Sequence, residues 1–141
     1  MTYLLDTCVI SELVSPRPAQ AVLDWIAGIE ETRLFLSVVT IGEIKRGVER
    51  LPDSKRRQAL EKWLEQDLLI RFQSRILSMD TPTMLTWGQL VAELEHKGRP
   101  MPAIDSLIAA TARHHHLQLV TRNEKDFAAT GVVILNPWQP R

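Results

Sequence analysis

Four short stretches of the chain carry acids where acids are expensive. "TYLLDTC" sets Asp6 directly behind the apolar run Tyr3-Leu4-Leu5, and "SVVTIGEIKRG" sets Glu43 three residues after Thr40. "MPAIDSLIAATARHHH" embeds Asp105 among apolar and small residues, and "TRNEKDF" brings Asn123, Glu124 and Asp126 together. A charge taken out of water without a partner costs several kcal/mol. Two carboxylates about 4 Å apart repel by roughly 4 kcal/mol at an effective dielectric of about 20. Acids forced to share one place therefore need a cation. Hard oxygen donors suit Mg²⁺ or Mn²⁺, and such an ion makes bound water a nucleophile and neutralises a phosphate oxygen.

Each acid also has a purely structural explanation. Asp6 suits the N-cap of a helix starting at Thr7, and Thr40-x-x-Glu43 is a capping-box pattern in which the glutamate returns to the cap amide. Asp105, in a first helical turn, is favoured by the helix dipole by roughly 0.3–1 kcal/mol. Capping leaves the neighbours of Asp105 unexplained: Ala103, Ile104, Leu107, Ile108, Ala109, Ala110 and Ala112 make a helix apolar enough to be buried, and a carboxylate inside it needs a partner or a metal.

The elements that must hold these residues alternate between strand and helix. Leu4-Leu5 reads as a first strand, "RLFLSVV" (33–39) as a second, "RILSMD" (75–80) as a third, then "LQLVTR" and "GVVIL". Between them lie helical patterns over Ala19–Ile29, Ile41–Leu51, Ser54–Phe72, from Asp80-Thr81-Pro82 to a stop at Gly98, and Ala103–His115. This order predicts an α/β fold, a mostly parallel central sheet with helices on both faces. In such sheets ligands gather at the carboxyl ends of the strands, and there Asp6, Glu43 and Asp105 are expected to converge within reach of one metal ion.

Composition narrows the chemistry. The 141 residues suit one domain spanning 1–141, and equal numbers of basic and acidic residues, 17 each, give no long-range pull on nucleic acid. A polyanion must be held locally. Cys8, the one cysteine, cannot close an internal disulfide. No apolar stretch approaches the roughly 20 residues of a membrane span, and no signal-peptide pattern is visible, so a reducing cytoplasm is the expected setting.

Other conspicuous residues read as structural. His114-His115-His116 point in different directions on a helix and suit a solvated C-terminal turn. Cys8 reads as a small buried hydrophobe, Trp25, Trp63, Trp87 and Trp138 as core or interface anchors, and "DSKRRQALEKWLEQD" as a solvated face. Arg46 and Arg50, one and two turns beyond Glu43, are candidates for a basic rim that contacts phosphate.

Taken together, "YLLDTCVISEL", "LSVVTIGEIKRG", "MPAIDSLIAATARHHHLQLVTRNEKDF" and "NPW" resemble the PIN-domain family, and within it the VapC-type toxins of bacterial toxin–antitoxin pairs. The resemblance spans nearly the whole chain. It implies a three-layer α/β/α PIN-like fold and an Mg²⁺- or Mn²⁺-dependent endoribonuclease acting on RNA. It also implies a homodimer and a small antitoxin whose C-terminal segment occludes the acidic site. By position it assigns the metal and the catalysis to Asp6, Glu43 and Asp105. The family's fourth acid is often an aspartate where this chain has Asn123, so Asn123 or Asp126 completes the set. Unless Asp126 turns inward, metal binding is expected to be weak, Asn123→Asp to tighten it and Asp126→Ala to do little. Cys8 stands where relatives commonly carry Asn or Ser, which removes polar support from Asp6. Two other readings remain: a scaffold subunit for a DNA-binding antitoxin, and Mg²⁺-dependent phosphoryl transfer on a doubly wound fold. The second lacks its usual acid beside Asp6 and a lysine at a later strand end.

Overall fold

In the computed structural model, which describes residues 1–139, the chain forms one five-stranded sheet in the order β3-β2-β1-β4-β5, every pair parallel. The strands are β1 (Tyr3–Leu5), β2 (Leu34–Ser37), β3 (Ile76–Leu77), β4 (Gln118–Val120) and β5 (Ile134–Leu135). Tyr3 pairs with Leu34 on one side and Gln118 on the other, which puts β1 at the centre. Side chains alternate across a strand: Tyr3 and Leu5 pack into one core layer while Leu4 enters the other.

One face is covered by α1 (Thr7–Leu13), α2 (Gln20–Ala27), α3 (Val38–Glu49) and a long helical stretch. That stretch runs from α4 (Lys55–Lys62) through a π-helical segment (Trp63–Leu68) to α5 (Leu69–Arg71). The opposite face is covered by α6 (Thr81–His96) and α7 (Ala103–His114), with α8 (Glu124–Phe127) beyond β4. This is the expected three-layer arrangement. Among the described residues no helix is long and apolar enough to cross a membrane.

The topology selects one place on the sheet. After β2 and β3 are laid on one side of β1, the chain crosses through α6 and α7 to place β4 on the other side. The order reverses between β1 and β4, where open parallel sheets form their ligand crevice. Asp6 follows β1 and Thr121 follows β4, so these two residues border it.

Local chemistry sets the element ends. Ser37 stops β2 and caps α3, its hydroxyl accepting from the Val39 amide at 3.1 Å, so the second strand ends two residues earlier than expected. β3 and β5 are shorter than their apolar runs because each is an edge strand with a single neighbour. α6 ends as expected at Gly98, whose φ of 67° suits glycine. The amide of Gly98 donates to Glu95 O and that of Arg99 to Leu94 O. The segment after β4, expected as a loop or turn, instead forms the short α8.

The "DSKRRQALEK" stretch is solvated as expected, since α4 buries no residue. Trp25, Trp63 and Trp138 pack against one core layer and Trp87 against the other. The histidine run is less solvated than expected, because α6 packs over the end of α7. His114 Nδ1 shares a hydrogen bond with Thr86 Oγ1 at 3.0 Å, and only His116 is exposed.

Leu4, fully buried in the central strand, tests this packing. Leu4→Ala is expected to lower unfolding free energy by about 3 kcal/mol in urea titration; a loss under about 1 kcal/mol would show that β1 is not the packed centre.

Candidate active site

Asp6 occupies two positions at once. Its backbone continues β1, the amide donating to Val120 O at 2.9 Å. Its side chain is the N-cap of α1, Oδ1 accepting from the Thr7 amide at 2.8 Å. The other oxygen, Oδ2, accepts from Thr121 Oγ1 at 2.8 Å, and Cys8 Sγ lies 3.7 Å away. Asp6 is only 5% exposed. Burial pushes its carboxyl above the usual aspartate range; the bonds from Thr121 and Thr7 pull it back, and the charge of Glu43 pushes it up again.

Glu43 is not a capping residue. With Ser37 as N-cap, Thr40 lies a turn inside α3 and Glu43 lies beyond the first turn. The capping-box pattern is therefore not used. Glu43 Oε1 instead accepts from Thr7 Oγ1 at 2.5 Å, and the same hydroxyl contacts Thr40 Oγ1 at 3.2 Å. Thr7, the first residue of α1, thus fastens an acid 36 positions away, which ties α1 to α3 at the sheet edge.

Asp105 lies in the first turn of α7, as expected, behind Pro102, which supplies no side-chain cap. Its carboxyl is half-buried and is pushed from the ordinary 3.8 to about 6. Burial is the largest cause; the charges of Asp6, Asp126 and Glu43 follow in that order. Four acids from four elements therefore act on one region. Among the described residues, however, no three His, Cys, Asp or Glu side chains stand ready-made as an ion cage. The acids share an edge and feel one another's fields without closing on a common point.

The remaining candidates divide. Asn123 is exposed, and its amide donates to Thr121 Oγ1 at 3.1 Å. Glu124 is engaged by Asn136 Nδ2 at 3.0 Å. Asp126 is exposed and raises Asp105 through its charge. Arg46 and Arg50 are exposed on α3. A groove of about 250 Å³ runs from Thr7 and Glu43 past Gly47 to Trp63, and its arginine is Arg56 instead. Cys8 is half-buried between Asp6 and Thr121, its sulfur 3.7 Å from each, and so faces polar groups as well as the core.

Sequence reasoning missed Thr7 and Thr121 as positioning residues. The signal was present in the Asp-Thr and Thr-Arg-Asn motifs, where each threonine adjoins an assigned position. The Thr121 hydroxyl and the Thr7 amide are the main support of Asp6, and Cys8, expected to give none, adds a weak thiol contact to Asp6 Oδ2 at 3.7 Å. The donor set as a whole is all oxygen and carries excess negative charge, which fits a hard divalent cation.

The fold has known counterparts. The PIN-domain family model matches residues 3–133. The chain belongs to the PIN-domain family. This PIN domain is 37% identical to Toxin FitB of Neisseria gonorrhoeae, over 96% of this chain and 97% of that protein. It is 36% identical to VapC ribonuclease Y4jK of Sinorhizobium fredii, over 97% and 98%. The solved structure of FitAB bound to an IR36 DNA fragment superposes with a TM-score of 0.94 at 34% identity, covering 99% of this chain and 98% of that one. PIN-domain ribonucleases generally depend on divalent metal.

The shifted Asp105 sets a pH dependence for the metal-free PIN domain. Its folded pKa, about 6, lies above the ordinary 3.8, so the native state holds this proton more tightly than the unfolded chain. The associated stability is fully present below about pH 4 and is lost as pH rises through about 6. Asp105→Asn removes that loss. In thermal melts with EDTA it should be more stable than the parent at pH 7, by on the order of 1 kcal/mol after solvent screening of a half-exposed group, with the advantage vanishing near pH 4. Equal stabilities at pH 7 would mean that Asp105 is not under the strain described.

Proposed function

We propose that this PIN domain is the ribonuclease toxin of a toxin–antitoxin pair, cleaving RNA with Mg²⁺ or Mn²⁺ held by Asp6, Glu43 and Asp105. The observation that carries this reading is the PIN-domain match over residues 3–133 with a relative named a VapC ribonuclease at 36% identity, and the acids gathered at one strand edge fit it. When bound, the ion supplies an acidified water and charge neutralisation at the attacked phosphate. The chain's own residues do the positioning. Thr121 and the Thr7 amide fix the two oxygens of Asp6, and Thr7 Oγ1 fixes Glu43. A carboxylate of the set takes the proton of the attacking water. Arg46 and Arg50, exposed on α3, are assigned to the phosphate rim. A small antitoxin and a homodimeric state are part of the same reading, supported by the relatives' toxin–antitoxin complexes.

A second reading, a scaffold for a DNA-binding antitoxin, is favoured by the DNA-bound state of the FitAB relative. Active-site variants separate the two. Asp6→Asn and Asp105→Asn should each reduce cleavage of a labelled RNA by about 100-fold or more while keeping the melting transition. Residual cleavage within a few-fold of the parent would remove the residue from the site.

The fourth position is assigned to Asp126, because its charge reaches Asp105 while Asn123 carries none and Glu124 is engaged by Asn136. This takes the alternative in which Asp126 completes the site. Calorimetric titration of Mn²⁺ into the parent, Asn123→Asp and Asp126→Ala should show Asp126→Ala the weakest and Asn123→Asp the tightest, since affinity follows ligand charge. The parent's affinity should also rise from pH 5 to 7, as the ion displaces the Asp105 proton. Identical affinities across the three proteins would exclude both positions.

A further inference from the structure

A nuclease whose reacting centre is a cluster of acids repels its own substrate, and this chain has no net charge to offset the repulsion. The cations that hold RNA must be local and uncommitted. Many are committed: Lys45 and Arg57 pair with Glu49, Arg71 and Arg75 with Glu31, and Arg113 with Glu93. Lys97 and Arg99 form no ion pair or side-chain hydrogen bond among the described residues, and both are exposed.

These two residues line a cleft of about 360 Å³ whose other walls are Ala128 and Ala129. Its only charged groups are thus two cations, and its remaining lining is small and apolar. The backbone beneath both cations is fixed. Gly98, between them, has φ 67°, and the Arg99 amide donates to Leu94 O at 2.8 Å. The segments that form the cleft also lead, along the chain, directly to residues that carry acids. Arg99 lies four residues before α7, which carries Asp105 in its first turn, and Ala128 lies two residues after Asp126. The two segments that build the cleft are the two that bring Asp105 and Asp126 to the site.

We propose that the cleft formed by Lys97, Arg99, Ala128 and Ala129 binds the phosphodiester backbone of an RNA strand beside the acidic edge. The inference rests on the ribonuclease reading and adds a binding site to it. Lys97 and Arg99 are positioning residues: they set where the strand lies and carry no base preference, because phosphate contacts are the same for every sequence.

Fluorescence anisotropy with a labelled single-stranded oligoribonucleotide of mixed sequence, in EDTA and over a range of salt, tests this. The double variant Lys97→Gln/Arg99→Gln should bind about tenfold more weakly at low salt and show a salt slope shallower by about 0.7 per lost contact. The loss should be equal for unrelated sequences. Ala128→Glu, which sets a carboxylate against both cations at an exposed position, should weaken binding in the same way. Arg33→Gln, ahead of β2 at the amino-terminal edge of the sheet, should change affinity less than twofold. With Mn²⁺ present, the loss in the double variant should fall on KM rather than kcat.

Equal effects per charge in the double variant and Arg33→Gln would reduce the result to net charge and overturn the cleft. So would weakened binding of a polyglutamate peptide with RNA affinity untouched, which would make the cleft a protein-binding surface. Parent-like RNA binding by the double variant, while the parent protein cleaves RNA, would overturn the cleft and leave the ribonuclease reading standing. A parent protein that neither binds nor cleaves RNA would overturn both.

Discussion

The carboxyl-terminal edge of the sheet gathers acids of like charge, and most of the local structure there answers that repulsion. Asp6 is nearly inaccessible to solvent and Asp105 is half-buried; burial first, then the charges of Asp6, Asp126 and Glu43, raise the Asp105 carboxyl to about 6. In an isolated domain this is unfavourable, since each charge is both desolvated and repelled. On the proposed ribonuclease reading, binding of a hard cation would offset this cost.

The protein limits this strain with hydroxyl groups. Thr121 and the Thr7 amide each donate to one oxygen of Asp6, and Thr7 Oγ1 donates to Glu43. Hydrogen bonds to a charged acceptor are stronger than neutral ones; they keep the carboxylates oriented without neutralising them. They also link elements remote in sequence. Thr7 joins α1 to α3, and Thr121 joins the end of β4 to the end of β1 across the point where the strand order reverses. The same contacts that hold the ligands therefore fasten the edge of the sheet.

Substrate handling is a separate electrostatic problem. The sum of charges is zero, so attraction for a polyanion depends on which cations remain unpaired. Ion pairs with Glu31, Glu49 and Glu93 engage Lys45, Arg57, Arg71, Arg75 and Arg113, five of the 17 basic residues. Arg46, Arg50, Lys97 and Arg99 are among the exposed basic residues that form no ion pair among the described residues.

The sequence by itself determined the class of fold and the principal acids. Apolar runs too short for buried helices, separated by helical periodicities, require a parallel sheet covered on both faces, and Asp105 in so apolar a helix marks a carboxylate that packing alone does not explain. Local patterns were weaker guides where two residues compete for one role. Thr40 and Ser37 both suit an N-cap, and the end of β2 decided for Ser37, which frees Glu43 from capping. Partners far apart in sequence were decided only by tertiary structure. Thr7 meets Glu43 across 36 positions and Thr121 meets Asp6 across 115, because hydrogen bonding depends on atoms a few ångströms apart and no local pattern records which strand ends become neighbours. The fields of Asp126 and Asp6 at Asp105 belong to the same class: charge can be counted in a sequence, but its effect depends on distance and burial, which exist only once the chain has folded.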